Sequence, residues 1–342
     1  MDLYAKFLKF KQEKDIRKSK PRPILIFDMM YIFRSQFSAQ TLITEEGVRM
    51  GGVGGAVRYI ENMIKLYNPK NVVCVFDGKN NASKKQEMDE NYKADRGQKH
   101  KMLRSPLSYN EADAQKQMEL ELGMLIKILQ LLPVKTIEIN GLEADDVIGY
   151  LTKQYYPDRN TNVMIFSADK DFIQLIDNNT VWYNCRKKEI VNLDNYTQYW
   201  EVPIENVIYI RSIEGDTSDK LAGIKGLGTK TLLKLLPEIS EIPFKSIDDF
   251  LSFIQSIQER LSTTKKGKLL VESESTIRTS YNIMQLSKPM IDNSQQHKIL
   301  TIMDDEVYNI RNRDKLFDYL KSNLLTSIIS TYRIDNFFKI LR

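Results

Sequence analysis

Short apolar runs alternate with longer amphipathic stretches through the first half of the chain. Ile24-Leu25-Ile26-Phe27 predicts a buried strand stopping at Asp28, and Val72 to Phe76 a second stopping at Asp77. Val134 to Ile139 predicts a third, and Val163 to Phe166 a fourth that closes on Ser167-Ala168-Asp169-Lys170-Asp171. Helical periodicity lies between them at about 56–67 and 111–132, and a further helix opens at Gly141-Leu142-Glu143-Ala144-Asp145-Asp146. Strands alternating with helices predict an α/β fold, a parallel sheet with helices on both faces. Gly47, Gly51, Gly52, Gly54 and Gly55 read as a close-packing loop before the helix at 56–67. Residues 79–110 are polar and basic without apolar periodicity, a length of loop that is usually functional or disordered. Beyond about residue 195 the strand signal fades. The remainder reads as a smaller, mainly helical domain with a glycine-rich turn at 223–228 and no internal repeat. The organisation expected is a basic N-terminal segment 1–22, a core 23–195 and a helical domain with a C-terminal tail, 196–342.

Composition adds charge segregation. The 342 residues are 42% hydrophobic, enough for one large and one smaller domain, and the net charge is only +5. Residues 1–22 carry eight Lys/Arg against three acids, 79–104 eight against four, and 220–234 four Lys and no acid. Basic surfaces around an acidic centre suit a polyanion held near metal ions, although such runs also occur as ordinary solvated charge. Two cysteines, Cys74 and Cys185, and two histidines exclude a disulfide framework and a thiolate or imidazole metal site. Any bound metal is therefore expected on oxygen ligands, which selects Mg²⁺ or Mn²⁺. No apolar run approaches a membrane span and the N-terminus has no signal core, so a cytoplasmic protein is expected.

Ligands of open parallel sheets bind outside the carboxyl ends of the strands. Asp28, Asp77, Asp169 and Asp171 end strands there, and Glu143, Asp145 and Asp146 open the helix after the third strand. Each acid alone also fits a plain role, in a turn or complementing a helix dipole. Seven on one rim repel one another unless cations neutralise them. Two such cations can activate water and stabilise the leaving oxygen of a phosphodiester. Asp169-Lys170-Asp171 also matches the opening of the haloacid-dehalogenase phosphatase motif, but Ile173 breaks that pattern and the other acids stay unexplained. The run Gly223-Ile224-Lys225-Gly226-Leu227-Gly228-Thr229-Lys230 has Thr229 where a P-loop needs Lys, and no strand precedes it. It reads instead as a helix–turn–helix hairpin. Its glycines would let backbone N–H groups approach a phosphate, with Lys225 and Lys230 adding salt-dependent attraction. A glycine link between packed helices is the plain alternative.

Gly141-x-Glu143-Ala144-Asp145-Asp146, Ser167-x-Asp169-x-Asp171-Phe172-x-Gln174-Leu175 and Gly215-Asp216-x-Ser218-Asp219 together resemble the signatures of the 5′-nuclease (flap endonuclease) superfamily. The glycine turn resembles its helix–three-turn–helix motif, and Tyr92-Lys93-Ala94-Asp95-Arg96 the Y-K-x-x-R segment of its helical arch, here 79–110. The likeness runs from about Asp28 to Leu236, and length and arch sequence are similar to the T-even bacteriophage ribonuclease H branch. Met29 stands where the family has Gly, and Lys220-Leu221-Ala222-Gly223 where it has Asn then Pro-Gly, which questions the local turn.

The resemblance implies a replication nuclease acting on 5′ flaps and on primers in DNA or RNA–DNA hybrids, working as a monomer with two Mg²⁺ that Mn²⁺ can replace. Asp28, Asp77, Glu143 and Asp145 would serve the first metal with Asp146 nearby, and Asp169, Asp171, Asp216 and Asp219 the second. Lys93 and Arg96 would act on the scissile phosphate and Tyr92 would stack on a base. Gly223, Lys225, Gly226, Gly228, Thr229 and Lys230 would bind DNA, with K⁺ at the turn. A catalytically silent binder of branched DNA is the alternative, against which the nine intact carboxylates argue. The tail Thr331-Tyr332-Arg333-Ile334-Asp335-Asn336-Phe337-Phe338 resembles a sliding-clamp peptide at Ile334, Phe337 and Phe338, with Thr331 in place of the usual Gln. Those residues would equally pack the tail onto its own domain. Leu3, Phe7 and Phe10 form a competing contact for a clamp or single-strand-binding protein.

Overall fold

A computed structural model describes residues 22–94, 111–157, 161–305 and 313–341. The basic N-terminal segment, and with it Leu3, Phe7 and Phe10, lies outside the described residues, as does Arg96.

All four predicted strands form: β1 (Ile24–Asp28), β2 (Asn71–Phe76), β3 (Lys135–Glu138) and β4 (Val163–Ser167). Two more extend the sheet, β5 (Thr180–Asn184) and β6 (Glu189–Val191), giving the order β3-β2-β1-β4-β5-β6. β1 to β5 run parallel and β6 is antiparallel to β5. The chain builds outward from β1 to β3 and then returns to place β4 on the other side of β1. The β1/β4 boundary is thus the switch point where the ends of parallel strands open a crevice.

Alternate residues of each strand face opposite sides, so both faces need cover. Ile24, Ile26, Val73, Val75 and Ile165 enter one core, and Leu25, Phe27, Cys74 and Phe166 the other. On the second face lie α1 (Met29–Ala39), α2 (Gly51–Tyr67) and α4 (Glu111–Leu131); α3 (Ser83–Met88) precedes α4 in the chain. Phe27 and Phe166 stack there with centroids 4.6 Å apart. The first face is covered by α5 (Ala144–Tyr150), which runs on through a π turn to Tyr155, and by helices from the second half of the chain.

Three expectations change. Gly51 to Gly55 are not a loop but the first turns of α2. They do permit close packing, since a Cβ on Gly51 would lie 2.3 Å from the Gln40 carbonyl oxygen and one on Gly54 2.2 Å from Ile328. The segment from 79 to 94 is not an open loop either: α3 forms, and Lys85 and Tyr92 are buried.

The C-terminal tail is the third. α6 (Val207–Glu214) and α7 (Thr229–Leu235) stay on the first face, but α8 (Arg313–Ser322) and α9 (Thr331–Ile340) return to the second. Ile334 and Phe337 are fully buried there, and Arg333 and Asn336 reach buried Glu61 of α2 at 2.6 and 2.7 Å. Two of the three expected clamp anchors are therefore occupied by the chain's own core.

Candidate active site

β1 delivers Asp28 to the switch point, and two hydrogen bonds fix it. Tyr31 N–H donates to Oδ1 at 3.1 Å, making Asp28 the N-cap of α1, and Ser167 Oγ at the end of β4 donates to Oδ2 at 2.8 Å. Ser167 Oγ also accepts from the backbone N–H of Asp169, so one serine joins the two central strands. Asp77, after β2, accepts from Ala144 N–H at 2.9 Å and so orients the start of α5. Asp169 accepts from Asp171 N–H at 2.9 Å at the head of a 3₁₀ turn.

Asp28, Asp77, Glu143, Asp145, Asp169, Asp171, Asp216 and Asp219 all line one cleft of about 770 Å³. The ninth predicted acid, Asp146, does not. It is buried behind the wall, with Oδ2 accepting from Glu143 N–H in a capping box and Oδ1 3.0 Å from Lys85 Nζ. Arg34, Lys170 and Arg186 stand on the cleft's margin, so the acidic floor has a basic rim.

The charges are balanced unevenly. Lys85 Nζ lies 2.7 Å from Glu143 Oε2, Tyr92 Oη donates to the same oxygen at 2.9 Å, and Lys93 Nζ pairs with Glu143 Oε1 and, at 3.5 Å, with Asp219. Burial works against the Glu143 carboxylate, but Lys85 and Lys93 outweigh it and hold its pKa at about 2. On the opposite wall Arg211 of α6 binds Asp171 with both arms and also reaches Asp216. Desolvation pushes Asp28 up to about 6, helped by the charge of Asp77, and raises Asp145 well above the ordinary carboxylate value, with Asp169 and Asp28 adding to it. Neighbouring carboxylates that resist ionisation are a donor set short of positive charge. They are hard oxygen ligands around a crevice and fit divalent cations of the Mg²⁺ class. Among the described residues no three converge on one point; the donors line the wall.

Of the two described arch residues, Tyr92 departs from its expected place and Lys93 does not. Tyr92 is 4% exposed, so its ring is packed away rather than presented to a base. Lys93 does reach the cleft, with its backbone held at φ +54° while its N–H donates to the carbonyl of Asp219 at 2.8 Å.

The glycine turn forms as a tight hairpin between α6 and α7. A Cβ on Gly223 would lie 1.8 Å from the Glu214 carbonyl oxygen, and Gly226 has φ +82°, so both positions require glycine. Lys220 takes φ +59° where the family's Asn would sit more easily, and the paired Asp216 and Leu221 hydrogen bonds still close the turn. Lys225, Gly228 and Lys230 are exposed. At the start of α7 the N–H and hydroxyl of Thr229 both donate to Glu214 Oε1, a carboxylate where a phosphate was expected.

Lys85, Arg211 and Glu214 escaped the reading of the sequence. Lys85 was lost in a run of exposed-looking charge, and Arg211 and Glu214 sit in an apolar helix with no motif of their own. Their only signal was charge on a helix immediately before Gly215-Asp216.

A mostly parallel sheet with an acid-lined, base-rimmed crevice at its switch point defines the class as an α/β protein whose cleft suits cations and a polyanion. A family model for the 5′-3′ exonuclease N-terminal resolvase-like domain matches residues 23–201. A 5′-3′ exonuclease of Buchnera aphidicola subsp. Schizaphis graminum is 30% identical over 276 residues, covering 80% of this chain and 88% of the relative. The DNA polymerase I of Caldicellulosiruptor bescii is 28% identical over 265 residues, 74% of this chain but 29% of the polymerase. The chain belongs to the 5′-3′ exonuclease family of the 5′-nuclease superfamily, a family of hydrolytic nucleases. It shares its fold with the bacteriophage T5 flap endonuclease in complex with DNA and metal ions, at TM-score 0.63 and 18% identity over 90% of this chain and 99% of the other. A zinc-bound T5 5′-exonuclease gives 0.62 at 17% identity, over 90% and 100%.

Proposed function

We propose that the protein is a two-metal 5′-nuclease, an exonuclease and flap endonuclease that removes primers and flaps from DNA and RNA–DNA hybrids during replication. The observation that carries this reading is the single cleft lined by nine carboxylates, eight of the predicted acids and Glu214, under a basic rim. Mg²⁺ is the cation that the oxygen donors favour, with Mn²⁺ able to substitute. When bound, the cations supply an acidified water and neutralise charge on the phosphodiester. Of the nine predicted acids, Asp28, Asp77, Asp145 and Asp169 make no ion pair among the described residues and would hold the first cation. Asp171, Asp216 and Asp219 would hold the second.

Arg34, Lys170 and Arg186 attract the phosphate backbone to the rim without reading sequence. Lys93, already at the cleft, moves from Glu143 to the scissile phosphate, where its charge stabilises the transition state. Lys225 and Lys230 hold duplex at the glycine turn. The test is cleavage of an end-labelled 5′-flap duplex across a Mg²⁺ titration, with Asp145→Asn as control. Metal-dependent product from the wild type and loss of at least about a thousandfold in the variant are expected, the scale of a lost electrostatic stabiliser. Flap binding without cleavage in either Mg²⁺ or Mn²⁺ would make the protein a silent binder of branched DNA.

A further inference from the structure

The cleft's acids divide by their counter-ions. Among the described residues Asp28, Asp77, Asp145 and Asp169 make no ion pair, whereas Asp171 and Asp216 share Arg211. Nε of Arg211 donates to Asp171 Oδ1 at 2.8 Å, and Nη2 donates to Asp171 Oδ2 at 3.2 Å and to Asp216 Oδ2 at 2.8 Å. The remaining oxygen, Asp216 Oδ1, accepts from the N–H and hydroxyl of Ser218 at 2.7 and 2.6 Å. All four oxygens of these two carboxylates are therefore engaged. A guanidinium is a permanent cation with a planar fork that matches carboxylates on two edges.

We infer that Arg211 is the resident counter-ion of the second cation position. It holds Asp171 and Asp216 together in the absence of metal, and its fixed positive charge competes with a cation for the same oxygens. The two cation sites then differ in affinity, and the unpaired group of Asp28, Asp77, Asp145 and Asp169 fills first. This inference rests on the metal-nuclease reading above. A plain structural role for Arg211 predicts the opposite sign. If the guanidinium merely aligned Asp171 and Asp216 for the metal, removing it would weaken the second site, whereas removing a competitor tightens it.

The experiment is Mn²⁺ binding to the full chain without nucleic acid, followed by calorimetry and by the loss of free-Mn²⁺ paramagnetic resonance. The wild type is expected to show two classes of site differing by at least about tenfold, equivalent to about 1.4 kcal/mol. Arg211→Gln should tighten the weak class by about tenfold and leave the tight class within about twofold, on the same scale. Arg211→Lys, which keeps the charge but loses the fork, should shift the weak class in the same direction by less, and it carries the test if circular dichroism shows Arg211→Gln unfolded. A weak class that stays unchanged or weakens in the folded variants overturns the inference. Failure of the underlying reading looks different, because the wild type itself would then bind no Mn²⁺ that Asp145→Asn abolishes.

Discussion

Lys85 Nζ lies 2.7 Å from Oε2 of Glu143, with the two side chains only 6% and 2% exposed. The same ammonium is 3.0 Å from Asp146, for which it is the ion partner. Glu143 keeps Lys93 and Tyr92 if Lys85 is removed, but Asp146 keeps only the backbone N–H of its capping box. Breaking a buried pair from one side costs about 3–5 kcal/mol because a charge is left without compensation. Lys85→Met is expected to lower the unfolding free energy in guanidinium by about 3 kcal/mol, and Lys85→Arg by less than half of that. A loss below about 1 kcal/mol for Lys85→Met would mean that Asp146 is protonated in the folded protein.

Asp28 and Asp145 supply the opposite pH dependence to Glu143. Their folded pKa values lie above the ordinary carboxylate value of 3.8, Asp28 reaching about 6. A group raised in this way stabilises the fold below about pH 4 and loses that contribution as pH rises through 6. Metal-free protein in EDTA should therefore melt at a lower temperature at pH 7.5 than at pH 5. Asp28→Asn should flatten the slope and stabilise the metal-free protein at pH 7.5 by on the order of 1 kcal/mol, a figure reduced for the partial exposure of the site. Millimolar Mg²⁺ should restore the wild type and do less for the variant. A melting temperature independent of pH in EDTA would show that the crowd of carboxylates is not strained without metal.

The sequence made the sheet legible where each strand was a pure apolar run. Ile24 to Phe27 and Val163 to Phe166 are buried on both faces, as a short apolar run rich in β-branched and aromatic residues predicts. Thr180–Asn184 mixes polar with aromatic residues, and Glu189–Val191 is a three-residue strand at the sheet edge, so neither gave such a signal. The acids at strand ends were legible because topology alone carries them to one rim. Asp146 could not be separated from Asp145, since adjacent residues on a helix start point to different sides and only packing tells which side is the cleft. Lys85, Arg211 and Glu214 were invisible for a related reason: their roles depend on partners 58, 40 and 15 residues away.

Glu214 bears on the DNA contact proposed for the glycine turn. Its carboxylate takes the N–H and hydroxyl of Thr229 at the start of α7, next to exposed Lys230. Glu214→Ala removes that cap, at a cost of about 1 kcal/mol in stability, and also removes a negative charge from the surface proposed to hold phosphate. Duplex affinity measured by fluorescence anisotropy should rise in Glu214→Ala. In Lys225→Ala combined with Lys230→Ala it should fall, and its logarithmic salt slope should flatten by about 1.8, the value for two lost phosphate contacts. An unchanged slope would return the turn to a packing role.

The C-terminal helix decides between core and partner. Ile334 and Phe337 are fully buried against α2, whereas Phe338 is half-buried and Tyr332 is 66% exposed. If the apolar side chains of α9 serve the chain's own core, large-to-small changes should follow burial rather than the clamp-like pattern. Ile334→Ala and Phe337→Ala should each cost about 3 kcal/mol, and Phe338→Ala about 1 kcal/mol or less. Deleting residues 331–342 takes both buried anchors away together and also strips Arg333 and Asn336 from Glu61, which keeps Lys65 at 3.5 Å. The truncated protein should lose on the order of 5 kcal/mol, more than either single substitution, and unfold or aggregate at 37 °C. Guanidinium unfolding of the four variants checks the ranking. If the truncation keeps the wild-type midpoint within about 0.2 M, a stability change below about 1 kcal/mol, the tail is not part of the core and its aromatic residues are available to a partner.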